Sequence, residues 1–428
     1  MGIPYFVASL VRAHRGIVKG LRTPHNVDAL LVDFNCFLHR YLDDGDPIPS
    51  ILRALADLKV LVHARKVYLA LDGLAPYAKQ VQQRYRRMRQ SEVKEFDRHQ
   101  LSPETPWMQS LAKAVRDSFP DWELSGTDEP GEGEHKLFQW LRANPQKSTL
   151  VYGLDADLVL LSLAQKDLSP SLHLLREKTE FQNMLSKEAE WGLLDIHGLA
   201  RALPLPVDQF VEIAVTCWGH DFLPPLAMFS LREDGYGRAL QFKGPCKKAA
   251  QIESDLLQSR IMKRNRPEEF AMLGPDLERR VGIQLFDGVR DWAPVVYAYW
   301  KTVAWTLHYF RTNEVLDWTW AYPYPEAPLV QTLMRFPRPT EFSWVPGCPF
   351  HVGDQLRFIL PKRSLIPTGR RVRFPDELYE EESPEMRIPW MRRYAWEARP
   401  RISLPWHPVT SQTAVVPLQI GPIRPNVE

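Results

Sequence analysis

Short apolar runs alternate with helically spaced segments through the first half of the chain, a pattern that predicts a parallel sheet wrapped by helices. Ala29 to Phe34, Val67 to Leu71, Leu150 to Gly153 and Leu172 to Leu175 read as buried strands, since unbroken apolar runs suit a sheet covered on both faces. Apolar residues recurring at three and four predict helices over Ser50 to His63, Pro76 to Asp97, Trp107 to Phe119, Glu132 to Arg142 and Val207 to Trp218. From about Asp234 to Asp287 the periodicity weakens into a charged stretch, and an apolar helix is expected from Trp292 to Phe310. About half of the 37 prolines fall after Trp320, which argues against a helical bundle there and for an extended wrap over the first domain.

Acidic residues stand at the ends of these apolar runs: Asp33 in LLVDFN, Asp72 in VYLALDG, Glu132 and Glu134 in PGEGEHK, Asp155 and Asp157 in VYGLDADL, and Asp221 in CWGHDFLP. An acid directly after a buried strand sits at the rim of the sheet, where open α/β folds bind ligands. Any one of them could simply cap the next helix. The pairs say more, because two carboxylates flanking Gly133, and two flanking Ala156, can face one point and would repel each other without a cation between them. Hard oxygen donors of this kind suit Mg²⁺ or Mn²⁺, and paired ions are the usual apparatus for cleaving phosphodiesters. The seven acids therefore predict a metal-dependent nuclease.

Just past Asp72 comes YAKQVQQRYRRMRQ, in which Lys79, Gln83, Arg86 and Arg87 share one helical face. Guanidinium forks and an ammonium on one face can hold a phosphate by several charge-assisted bonds, although such a run alone would more simply be a solvated surface. Trp305, Trp318, Trp320, Tyr322 and Tyr324 cluster late in the chain. Most of these rings should be core, with one or two left to stack on bases. His39, shortly after Asp33, could either stack on a base or be satisfied within a helix.

At 428 residues and 49.6 kDa the chain exceeds what one core usually serves. With 44% hydrophobic and 25% charged residues it reads as an ordinary globular protein. The net charge of +2 decides little, because an acidic metal site and a basic groove can lie side by side. Cys36, Cys217, Cys246 and Cys348 lack C-x-x-C spacing, so neither a zinc knuckle nor a disulfide framework is expected, and a reducing intracellular setting fits, cytoplasmic rather than nuclear. No run approaches the roughly 18 apolar residues of a membrane span. The start MGIPYFVASL lacks the order of a secretory signal, and Phe6 stands where a myristoylation motif wants Ser or Thr. No membrane role is expected.

The motifs together resemble the XRN-type 5′→3′ exoribonucleases. The resemblance is carried by MGIPYF, LLVDFNCFLH, LALDGLAPYAKQVQQRYRRMR, SPETPWMQSL, PGEGEHK, VYGLDADLVLLSL, LLRE and GHDFLPPL, then by WTLHYFRTNEVLDWTWAYPYPEAP and PFHVGDQLRFILPKRS, and faintly by YAWEARPRISLPW. It implies an α/β, PIN/FEN-like nuclease domain with a mostly parallel sheet, plus a second helical and extended region packed against it. The implied divisions are a nuclease core over 1–235, a linker or short helical excursion over 236–289, the second conserved region over 290–365, and a proline-rich wrap and tail over 366–428. Two Mg²⁺ ions, with Mn²⁺ able to substitute, would sit on Asp33, Asp72, Glu132, Glu134, Asp155, Asp157 and Asp221. Lys79, Gln83, Arg86 and Arg87 fall on the family's pocket for a 5′-monophosphate. His39 falls on its base-stacking position, with Trp318 chosen as the partner and Trp305 and Trp320 kept open.

The activity so implied is processive hydrolysis of single-stranded RNA bearing a 5′-monophosphate to 5′-mononucleotides, as in RNA decay after decapping, by a monomer. The chain departs from the family at His220, where Asn usually precedes the last acid, and in a short stretch from Ser91 to Pro130; the long C-terminal accessory domains are not expected. The rivals are a flap or structure-specific DNA nuclease, which would share the acids but usually has a Gly-rich hairpin after them, and an RNA-binding scaffold that has lost catalysis.

Overall fold

The computed structural model describes residues 2–360 apart from 4, 22–24, 43–45, 89–95, 179–184, 186–188, 232–233, 264–275, 287–288 and 325. The proline-rich region 366–428 and residues 89–95 of the helix expected to reach Asp97 lie outside the described residues; that helix does not reach Asp97, which is extended and caps a separate 3₁₀ turn. Seven strands form one sheet in the order β1-β7-β6-β5-β2-β3-β4. They are β1 (Val18–Leu21), β2 (His25–Asp33), β3 (Val62–Ala70), β4 (Glu123–Ser125), β5 (Ser148–Tyr152), β6 (Ser171–Glu177) and β7 (Trp191–Asp195). The four central pairings, from β6 to β4, are parallel, and β7 and β1 add an antiparallel edge. The fold is α/β, as expected.

Strand alternation builds two cores from one sequence. Ala29 and Leu31 of β2, with Tyr68, Val151 and Leu174, face one layer. Leu30 and Val32, with Leu69, Leu150, Tyr152 and Leu175, face the other. On the second face lie α2 (Phe34–Leu38), α3 (Pro47–Leu61) and α5 (Pro106–Ser118). On the first lie α1 (Phe6–Ala13), α4 (Tyr77–Met88), α6 (Gly133–Ala143), α7 (Asp157–Ala164), α8 (Ile196–Ala202) and α9 (Val207–Cys217). The three edge strands and α1 had too few periodic residues to be read from sequence: β4, for example, is three residues long.

The stretch after Asp234 carries the helices Gly235–Leu240, Lys247–Lys263 and Leu277–Leu285 among the described residues. Leu257, Leu277 and Val281 bury into a small core with Phe286, Trp292, Val295 and Leu329. The helix Ala293–Thr312 then packs along α7 and α9, with Trp305, Tyr309 and Phe310 buried in the first core. Among the described residues no helix is long and apolar enough to cross a membrane.

Candidate active site

The chain runs β2, β3, β4 outward on one side of β2 and then returns to lay β5 and β6 on the other. Ligands collect at such a reversal, outside the carboxyl ends of the strands. Asp33 ends β2, Asp72 follows β3 by two residues, and Asp155 follows β5. Three acids distant in sequence thus meet on three neighbouring strand ends. Glu132 and Glu134 open α6, Asp157 opens α7 and Asp221 follows α9, so helix starts and loops bring the remaining four to the same side.

A cavity of about 600 Å³ is lined by Asp33, Asp72, Glu132, Glu134 and Asp155, and on its other wall by Lys79, Gln83, Arg86 and Arg87 of α4, with His39. The basic helical face and the acids read from the sequence therefore share one space. Asp157 and Asp221 do not line it but are electrostatic neighbours of the acids that do. Sequence reasoning did not single out Asn35, Cys36, Arg98, Leu101 or Leu154, which also line it. Asn35 had a signal, lying two residues past Asp33 in LLVDFN; Arg98 sits in a stretch without periodicity and had none.

Local geometry holds the acids closely. Asp33 Oδ1 accepts from Cys36 N at 3.2 Å, so this residue caps α2 as well as facing the cavity. Asn35 clamps Asp72 from two sides, its Nδ2 donating to Oδ2 at 3.1 Å and its Oδ1 accepting from Asp72 N at 3.1 Å. Gly133 N donates to the other oxygen of Asp72 at 2.7 Å. A Cβ on Gly133 would stand 2.9 Å from the Ala70 carbonyl and 3.3 Å from Oδ1 of both Asp33 and Asp72. Only glycine lets α6 start that close to the strand ends. The Asp72 and Glu132 loops are tied by Gly73 N to the Gly131 carbonyl at 2.9 Å and Gly131 N to the Leu74 carbonyl at 2.8 Å.

Lys79 reaches into the acids rather than only facing phosphate. Its ammonium lies 2.5 Å from Glu132 Oε2 and 2.9 Å from Asp221 Oδ2. Burial opposes its charge, yet Asp221, Glu132, Glu134 and Asp155 together push its pKa well above the ordinary lysine value. Gln82 donates to Asp221 Oδ1 at 3.3 Å and Tyr309, from the second region, donates to Glu132 Oε1 at 3.2 Å. Behind the site Arg176, wholly buried on β6, donates to the Asp155 carbonyl at 2.7 Å. Lys136 donates to the Leu71 and Gly126 carbonyls at 2.9 and 2.8 Å, steadying the approach to Asp72.

Burial, and then the neighbouring carboxylates, raise the pKa of Asp33 well above its usual range. Glu134 and Asp157 are raised in the same way, against the pull of Lys79. Glu134 Oε2 and Asp157 Oδ1 are buried without a hydrogen-bond partner. A buried oxygen so placed is costly unless a proton or cation meets it. In donor chemistry the seven residues fit a hard divalent cation. Among the described residues no three of them yet stand in a ready-made ion-holding arrangement, which agrees with Lys79 supplying the positive charge between Glu132 and Asp221.

His220 is buried with its pKa lowered to about 4 by desolvation, against the pull of Asp221. It is a neutral ring beside the last acid, its Nδ1 accepting from Phe222 N at 3.3 Å. His39 stands exposed at the cavity mouth. Surrounding protein, then Arg86, Arg98 and Arg87, push its pKa down, and solvent at the mouth screens part of that effect. Of the three tryptophans considered for stacking, Trp305 is fully buried and donates to the Asp317 carbonyl at 3.0 Å, so it is core. Trp320 donates to Thr302 Oγ1 at 3.1 Å, with Lys301 4.1 Å above its ring. Trp318 is half-buried and its carbonyl accepts from Tyr77 N at 2.9 Å, which fixes it beside the start of α4. Its ring is not among the cavity-lining groups.

The model of the XRN 5'-3' exonuclease N-terminus matches residues 1–95 and 89–178. The 5'-3' exoribonuclease 2 of Schizosaccharomyces pombe is 27% identical over 51% of this chain and 32% of its own length. The 5'-3' exoribonuclease 1 of the same organism is 30% identical over 42% of this chain and 17% of its own length. The chain thus spans a third or less of these relatives. Among solved structures, the catalytic core of Rad2 in complex with DNA substrate gives a TM-score of 0.39 at 14% identity over 77% of this chain and 95% of that one, too loose a likeness to carry an argument. The first 178 residues therefore match the XRN 5'-3' exonuclease N-terminus, and over about half its length or less the chain is similar to these exoribonucleases.

Proposed function

We propose that this chain is a 5′→3′ exoribonuclease that processively hydrolyses single-stranded RNA carrying a 5′-monophosphate to 5′-mononucleotides, acting as a monomer in decay after decapping. One observation carries the reading: the carboxylates of the strand ends and the cationic face of α4 line the same cavity. An acidic centre alone would suit many phosphodiesterases, and a basic helix alone would suit any polyanion. Side by side, they suit an enzyme that grips one end of a strand and cuts next to the grip.

Asp33, Asp72, Glu132, Glu134, Asp155, Asp157 and Asp221 would hold two Mg²⁺ ions, or Mn²⁺ in their place. Bound there, the ions would favour deprotonation of the attacking water and stabilise charge on the leaving 3′ oxygen. The remaining work falls to the chain itself. Gln83, Arg86 and Arg87 would grip the terminal phosphate through an amide and two guanidinium forks. Lys79, tied to Glu132 and Asp221, would link that grip to the acids. His39 would stack on the first base from one side and Trp318 from the other, orienting the strand across the carboxylates.

The test compares 5′-phosphorylated RNA, 5′-hydroxyl RNA and a DNA flap, with and without magnesium. Mononucleotide release from the first substrate, dependent on magnesium, is expected. Cleavage of the flap alone would make the chain a structure-specific DNA nuclease, and RNA binding without hydrolysis would make it a scaffold. Within the enzyme reading, Lys79→Ala with Arg86→Ala should erase the preference for 5′-phosphate over 5′-hydroxyl RNA; an unchanged ratio would move the slot elsewhere.

A further inference from the structure

The cationic wall of the cavity is not made by α4 alone. Arg98 and Leu101 line the same cavity from a 3₁₀ turn, Arg98–Leu101, that lies beyond α4 in sequence. The turn is anchored. Asp97 caps it by accepting from His99 N at 3.0 Å and pairs with His99 Nδ1 at 3.0 Å. His99 Nε2 in turn lies 3.4 Å from the carbonyl of Arg87, and both His99 and Leu101 are buried. The backbone carrying Arg98 is therefore fastened to the end of α4 that carries Arg87, and the guanidinium is built into the wall.

The number of cations on this wall exceeds what a terminal phosphate needs. A monophosphate presents three oxygens and a charge between −1.5 and −2. Two guanidinium forks and the Gln83 amide already meet that demand. Arg98 is grouped with Arg86 and Arg87 around His39, the ring on which a first base would stack. A cation beside that base has a different anion in reach, the phosphate joining the first nucleotide to the second.

We infer that Arg98 forms a second phosphate subsite, which binds the first internucleotide phosphate and is separate from the slot of Gln83, Arg86 and Arg87. The inference rests on the exoribonuclease reading above. A contact to a linking phosphate is independent of sequence and of what the 5′ end carries, so it adds affinity without adding end selectivity. It also adds one neutralised phosphate to the salt dependence of binding.

The experiment measures binding of short RNAs by fluorescence anisotropy in EDTA buffer, using 5′-phosphate, 5′-hydroxyl and 5′-phosphate with an uncharged methylphosphonate at the first linkage. Arg98→Ala should weaken the first two by one common factor, roughly ten- to a hundredfold for a lost charge-assisted bond, and leave the preference for 5′-phosphate intact. Its slope of log K against log salt should flatten by about 0.7. On the methylphosphonate RNA, wild type and variant should bind alike. Arg98→Lys keeps the charge, so it should retain the slope while losing part of the affinity; it also stands in if the alanine variant fails to fold. Collapse of the 5′-phosphate preference in Arg98→Ala would place Arg98 in the terminal slot and overturn the inference. Unchanged binding would overturn it too, as would a loss that persists on the uncharged linkage. A wild type without any 5′-phosphate preference would instead sink the exoribonuclease reading, and the methylphosphonate comparison would still report on Arg98.

Discussion

Lys79 Nζ meets Asp221 Oδ2 at 2.9 Å across 142 positions of sequence, and Glu132 Oε2 at 2.5 Å. One ammonium thus neutralises part of a buried acidic centre from within. Breaking a buried pair by removing one partner costs about 3–5 kcal/mol, because the other charge is left uncompensated. Lys79→Met should therefore melt earlier in EDTA by that order and recover much of the loss when Mg²⁺ is added. Equal melting of variant and wild type in EDTA would mean that Glu132 and Asp221 carry protons and do not depend on Lys79.

Asp72 and Asp155 follow the strands on either side of β2, and Asp72 has both oxygens held by Asn35 and Gly133. Asp72→Ala or Asp155→Ala should abolish hydrolysis while RNA binding in magnesium-free buffer stays close to wild type. Turnover at the normal rate in either variant would remove these carboxylates from the chemistry.

Gly133→Ala tests the closeness of α6 to the strands. The new methyl would press on the Ala70 carbonyl at 2.9 Å, and a backbone oxygen cannot swing away as a side chain can. Overpacking of this kind costs roughly 1–3 kcal/mol. A lower melting temperature together with a drop in kcat larger than the change in RNA affinity is expected; a variant that folds and cuts normally would show that the loop yields freely.

The His39 imidazole is held down by surrounding protein and by Arg86, Arg98 and Arg87. Since its folded pKa lies below the ordinary 6.5, the unfolded chain takes up the proton first as pH falls. This group therefore costs no stability above about pH 6.5 and progressively destabilises the fold below it, toward the folded pKa. In the folded protein the ring should stay neutral between pH 6 and 8, which an NMR titration of His39 reads directly; a midpoint at or above 6.5 would show that the arginines do not crowd it.

The tryptophans should separate into two roles. Trp305 is fully buried, and Trp305→Ala should cost about 3–5 kcal/mol of stability. Trp318 is half-buried beside the start of α4, and Trp318→Ala should slow RNA degradation more than it lowers the melting temperature. Melting curves and activity measured on the same preparations distinguish the two; a Trp318 variant that loses only stability would leave His39 without this partner.

Sequence alone determined the parts whose signals are local. The central strands were legible because burial on both faces makes a continuous apolar run, and Asp33, Asp72 and Asp155 were legible because each stands at the end of such a run. The helical face of α4 was legible because Lys79, Gln83, Arg86 and Arg87 recur at the period of a helix, and all four line the cavity. Tertiary structure alone decided the rest. The reversal of strand order between β2 and β5 makes Asp33, Asp72 and Asp155 neighbours, and no local pattern encodes the order of strands in a sheet. That Lys79 pairs with Glu132 and Asp221, that Arg98 joins the cavity from another turn, and that Tyr309 of the second region donates to Glu132 all depend on contacts between segments far apart in the chain. Such contacts are set by packing and charge in three dimensions, where residues with no periodic signal can carry as much weight as those with one.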